Sequence, residues 1–256
     1  MRLLETRLQW TLRKALWFAM ALTCTCTSAA QLTVSAATSL MGVLRELAPV
    51  FEAQHAGNKV RLNFGPSDSL LIQIANGAPV DVLATADQNT MDRAQAQGLL
   101  QTQTRRNFAG NSLVVVQPAA STLPLRSLAD LQNPSVRRFA MGSPASVPVG
   151  RYAKVALEAA GVWRALQPKA VYGLNARQVL DYVARGELEA GIVYASDVPL
   201  LRNKLKTAFA LTSAQPIRYP VAVLAQTTNP ELAQQWVEYL TSPAAQAVFV
   251  RHGFQP

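Results

Sequence analysis

Residues 32–47, LTVSAATSLMGVLREL, and residues 60–74, VRLNFGPSDSLLIQI, follow one plan twice. A short strand-forming run enters a hydroxyl-rich turn, and apolar residues then recur at helical spacing. In the first stretch Leu32–Ala36 reads as a strand, and Leu40, Val43, Leu44, Leu47 and Phe51 mark one helix face. In the second, Val60–Phe64 is the strand and Leu70, Leu71 and Ile74 mark the helix, which Asn76-Gly77 closes. Thr38 and Ser39 occupy one turn, Ser67 and Ser69 the other. The first N–H groups of a helix have no partner within it. Beside a hydroxyl they can hold an anion without lysine or arginine. Taken singly, each serine is better explained as an ordinary cap or turn residue.

The same alternation continues outward. Val80–Thr85 is a nearly continuous apolar strand, as expected of one covered on both faces. Asp87 then caps a helix through Met91 to Gln97. TQTRRNFAGN reads as a polar connection before the strand Ser112–Gln117. Residues 118–135 read as loop with a short helix at Leu128–Leu131. Phe139–Gly142 is a strand and Pro144–Gly150 a turn. A helix follows over Arg151–Ala160, with Gly161 just beyond its end. Another helix is centred on Val179, Ala190–Tyr194 and Tyr219–Ala225 are strands, and Asn229-Pro230 and Ser242-Pro243 start the last two helices.

This order predicts an α/β fold of two lobes, each a mainly parallel sheet flanked by helices. Residues 31–111 and 218–256 are assigned to lobe I and 112–217 to lobe II, with Ser112–Gln117 and Tyr219–Ala225 as the crossings. Ligands of such sheets sit beyond the carboxyl ends of the strands. The turns with Ser39, Ser67, Val149 and Tyr194 fall there.

Residues 1–30 read as a secretory signal peptide: a basic start, the apolar run ALWFAMALTCTC, and Ser28-Ala29-Ala30 before Gln31. Cys24 and Cys26, both inside it, are the only cysteines, so the mature chain is expected to carry neither a disulfide nor a thiolate site. Lipid anchoring through either is disfavoured because threonine precedes each where a smaller residue is wanted. A periplasmic, monomeric protein is expected. Setting the leader's four basic residues and one acid aside leaves 20 basic residues against 14 acidic. No basic run interleaved with aromatics accompanies that excess, which argues against nucleic acid. His55 and His252 have no partner at metal-ligand spacing. Neither a GxSxG elbow, a P-loop nor a GxGxxG fingerprint is present, and Asp81, Asp87 and Asp92 read as strand end and helix cap. An enzyme is therefore disfavoured, and no cofactor is expected.

Five segments in order, AATSLMGVL, NFGPSDSLLIQIANGAPVDVLATADQNTMD, GNSLVVVQP, GSPASVPVGRYAKVAL and GIVYASD, resemble the periplasmic molybdate-binding proteins of ABC importers. The resemblance runs down to the C-terminal FVRHGF. It implies two lobes closing on a tetrahedral oxyanion, molybdate or tungstate, that is passed to a membrane permease. It also implies ligand contacts at Ser39 and Ser67, at the backbone N–H groups of Val149 and Ala176, and at the Tyr194 hydroxyl. Pro66 and Asp68 depart from the family pattern. Asp68 is expected to point outward as a favourable first-turn acid, and Arg151 and Arg177 are read as solvated helix residues.

Overall fold

The computed structural model describes residues 30–213 and 215–256; residues 1–29 of the expected leader lie outside the described residues. Strand β1 (Gln31–Ala37) enters a 3₁₀ turn (Thr38–Leu40) and helix α1 (Met41–Gln54). Then come β2 (Lys59–Gly65), α2 (Ser67–Ala75), β3 (Val82–Ala84), α3 (Gln88–Ala96) and β4 (Arg106–Asn111). The second half begins with β5 (Leu113–Pro118) and β6 (Phe139–Gly142). Helices α4 (Pro148–Ala159) and α5 (Trp163–Leu166), strand β7 (Ala170–Gly173), helix α6 (Ala176–Ala184), and strands β8 (Ala190–Tyr194) and β9 (Leu205–Leu211) complete it. The chain returns through β10 (Ile217–Val223) and ends with α7 (Pro230–Leu240) and α8 (Pro243–Arg251).

Two five-stranded sheets result, in the orders β2-β1-β3-β10-β4 and β7-β6-β8-β5-β9. β1 lies parallel to β2 and β3, and β6 parallel to β7 and β8. Only β10 and β5 run against their neighbours. Each reversed strand is one the chain enters on crossing from the other sheet, at Asn111–Leu113 and between Leu211 and Ile217. The two halves therefore have the same strand plan, and the parallel strands of both aim their carboxyl ends at the cleft between them.

Local chemistry explains the helix positions. The helix expected to start at Arg151 starts three residues earlier, because Pro148 takes its first position, where a missing N–H costs nothing. Asp87 and Ser242 cap α3 and α8 through the N–H groups of Thr90 and Ala245. Asn229 precedes α7 without capping it; its amide instead reaches the Gln31 carbonyl and Asp81. On α7 the residues Leu232, Ala233, Trp236, Val237 and Leu240 form one buried stripe. Trp236 meets the Phe51 ring edge-on at 5.0 Å. Burial of side chains of this size stabilises the fold by about 1.5–3 kcal/mol each.

Three strands were not expected, β4, β7 and β9. All three are sheet edges. An edge strand keeps one side to solvent and tolerates polar residues, so its hydrophobic signal is weak.

α4 is seated by a backbone contact. Gly142 ends β6 under the first turn of α4, and a Cβ on Gly150 would overlap the Gly142 carbonyl. Gly150→Ala is expected to push α4 off the sheet at a cost of about 1–3 kcal/mol. Thermal unfolding of the variant measures this, and an unchanged Tm would show that the helix yields freely.

Candidate ligand-binding site

The carboxyl ends of β1, β2, β6, β7 and β8 meet around one small cavity. All five residues singled out in the sequence, Ser39, Ser67, Val149, Ala176 and Tyr194, line it. So do Ala37, Gly65, Pro66, Ala86, Val147 and Asn175; among the described residues no Asp, Glu, Lys or Arg does. Ser67 is the first residue of α2, Val149 the second of α4 and Ala176 the first of α6. Their N–H groups belong to the set that a helix leaves unpaired, and each helix end brings a partial positive charge of about half a unit. Pro66 precedes α2 in extended conformation, so its missing N–H removes no bond from that helix.

The hydroxyls are oriented by their neighbours. Ser67 Oγ accepts from the N–H of Ala86 at 3.2 Å, which leaves its proton for the cavity. Ser39 Oγ lies 3.2 Å from the Tyr219 hydroxyl, which also accepts from Asn111 Nδ2 at 3.1 Å. With Asn111 donating to it, the phenol of Tyr219 is free to donate to Ser39, whose own proton can then face the cavity. Burial holds the Tyr219 and Tyr194 phenols well above their ordinary range, so both remain donors at every physiological pH. Tyr194 reaches across the cleft, and its hydroxyl makes only a long 3.4 Å bond to the Ala86 carbonyl. Asn175 Oδ1, an acceptor at the rim, is occupied by the N–H of Gln178 at 2.9 Å. What the cavity offers is hydrogen-bond donors.

Asn111 and Tyr219 were not singled out in the sequence. Asn111 stands at one crossing and Tyr219 in β10, just after the other; Asn111 Nδ2 also donates to Ser196 Oγ at 2.8 Å and its Oδ1 accepts from the N–H of Ser112 at 2.9 Å. An asparagine ending one strand and a tyrosine in another carry no pattern until the fold pairs them.

Two charged residues lie elsewhere than expected. Asp68 points neither to solvent nor into the cavity. It is 5 % exposed and accepts from Thr90 Oγ1 at 2.8 Å, Arg93 Nη1 at 3.0 Å and Arg151 Nη1 at 2.8 Å. Arg151, expected in solvent, is half-buried and also donates from Nε to Asp87 Oδ2 at 2.7 Å. Burial disfavours its charge, but the carboxylates of Asp87 and Asp68 outweigh that and raise its pKa. Arg177 does remain on the helix surface, paired with Asp181. His55 stacks on Phe51, and His252 pairs with Glu46. Among the described residues no cluster of His, Cys, Asp or Glu could hold a metal ion.

Two sheets of matching topology with a donor-lined cavity between them define a two-lobe solute-binding protein. The chain belongs to the bacterial extracellular solute-binding protein family, whose model matches residues 32–255. The molybdate-binding protein ModA of Escherichia coli is 37% identical over 229 residues, covering 88% of either chain. The periplasmic molybdate-binding protein of Azotobacter vinelandii superposes with a TM-score of 0.77 at 25% identity, over 88% of this chain and 99% of its own. The sulfate-binding protein SubI of Mycobacterium tuberculosis superposes with 0.80 at 20% identity, over 89% and 87% of the two chains. That last likeness speaks for the fold alone.

Beyond the cavity, Asp197 follows β8 in the 3₁₀ segment Ala195–Leu201. It is buried, its Oδ2 has no partner among the described residues, and burial pushes its pKa up to about 7. The folded state therefore holds this proton more tightly than the unfolded chain does. Its contribution to stability falls as pH rises from the ordinary carboxylate range to about 7. Asp197→Asn is expected to remove that loss, so its Tm relative to the parent rises between pH 5 and pH 8. A difference that stays constant across that range would contradict the shift.

Proposed function

We propose that this protein captures molybdate, and with it tungstate, outside the cytoplasm and delivers it to the membrane permease of an ABC importer. The observation that carries this reading is a cavity bordered by no charged side chain and supplied with donors from both lobes. A buried dianion needs many charge-assisted hydrogen bonds to offset its desolvation. Ser39, Ser67 and Tyr194 supply hydroxyls and Val149 and Ala176 supply N–H groups. A fully ionised tetrahedral anion is acceptor-only and matches this set. Hydrogenphosphate has a proton that needs an acceptor, and the bordering side-chain acceptor Asn175 Oδ1 is engaged by the N–H of Gln178. An unpaired proton inside the cavity would cost enough to reject it strongly.

The relatives named for molybdate support this anion over sulfate, since they match the sequence more closely than the sulfate-binding neighbour does. Export through the leader at residues 1–30, a periplasmic location and a monomeric state complete the proposal. No helix among the described residues is long and apolar enough to cross a membrane.

Thermal melts of the mature protein with molybdate, tungstate, sulfate and phosphate test the ligand. Molybdate at 100 times its Kd is expected to add about 2.7 kcal/mol, and phosphate nothing measurable. A shift with phosphate and none with molybdate or tungstate would overturn the assignment. Ser39→Ala and Tyr194→Phe each remove a hydrogen bond to a charged ligand, for which about 1.5–3 kcal/mol is typical. Titration calorimetry should find their affinities lower by about tenfold or more, and full affinity in either would remove that residue from the site.

A further inference from the structure

Three residues of the ion cluster behind the cavity adjoin it in sequence. Asp68 follows Ser67, Asp87 follows Ala86, and Arg151 stands two places after Val149. Asp68 and Asp87 belong to the lobe of the first sheet, Arg151 to α4 on the second. The guanidinium uses Nη1 for Asp68 and both Nε and Nη2 for Asp87, and Nη2 also reaches Thr90 Oγ1 at 3.0 Å. The arginine side chain is 21% exposed, the two carboxylates 7% and 5%.

We infer that Arg151 is an interlobe clasp, a positioning residue that docks into the Asp68 and Asp87 carboxylates when the cleft shuts and so holds the closed lobes together independently of the anion. The inference rests on the two-lobe capture mechanism proposed above. A planar fork of donors must meet two separately anchored carboxylates, so the contact forms in only one relative setting of the lobes. Asp87 is fixed by capping α3, and Asp68 by Thr90 and Arg93. The clasp thus selects the same lobe setting that brings Val149 opposite Ser67. Because its carboxylates neutralise it, Arg151 stabilises closure and adds little attraction for the anion itself.

The two roles predict opposite signs. If Arg151 served mainly to attract the anion, removing the Asp68 charge would unmask it and also relieve repulsion, so Asp68→Asn would tighten binding. The clasp requires that Asp68→Asn weaken binding although it takes a negative charge away from a dianion. Molybdate titrations of the mature protein, Asp68→Asn and Arg151→Met measure this, with small-angle scattering of each protein without ligand. Both variants are expected to bind about tenfold or more weakly, chiefly through faster release, and Arg151→Met to have a larger ligand-free radius of gyration than the parent. Asp68→Asn binding as tightly as the parent or tighter would overturn the clasp. So would identical ligand-free scattering of parent and Arg151→Met. Should the parent itself not bind molybdate, the ligand assignment fails, while the ligand-free scattering still decides the clasp.

Discussion

An anion can be enclosed without a neighbouring cation only if neutral donors meet it from several sides, and that requirement organises this molecule. Hydroxyls alone are too few, and backbone N–H groups are free only where a helix begins. Helix starts must therefore converge, which means the strands before them must end at one place. Two sheets with the same 2-1-3 core of parallel strands do this, each contributing strand-to-helix turns from its own side of the cleft. Gly142 and Gly150 serve the same end, since their close approach seats the first turn of α4 against the sheet.

Charge is present near the cavity but kept one layer behind it. Asp68, Asp87, Arg93 and Arg151 neutralise one another beside the helix ends instead of facing the space between them. The separation has a physical consequence. Donors in the cavity recognise a ligand by the number and direction of its acceptors, whereas the ion cluster responds to how the lobes are set. Recognition and closure thus rest on different interactions, joined through residues one or two positions apart in the chain.

Much of the fold was legible because buried parallel strands and amphipathic helices leave strong periodic signals, as in Val80–Thr85 and the Leu40–Phe51 face. The edges β4, β7 and β9 were illegible for the converse reason, since a strand with one free side needs no continuous apolar run. At the site, Ser39, Ser67, Val149, Ala176 and Tyr194 stood in recognisable order and the structure gathers all five at one cavity. Asn111 and Tyr219, which orient the Ser39 hydroxyl, were invisible because their roles depend on strands 108 residues apart meeting.

The sequence by itself determined which segments form the strands and helices around the cleft, and the family resemblance it carries implied a site of neutral donors. The elements are local properties, settled by the spacing of apolar residues and the chemistry of serine, proline and glycine. Only the tertiary structure decided where the charges went. Asp68 at the first turn of a helix reads as a solvent-facing cap, and Arg151 as a solvated helix residue, as long as each is considered alone. Their burial depends on each other across the cleft: a carboxylate can leave water only where a counter-charge awaits it, and that partner lies 83 residues away on the other sheet.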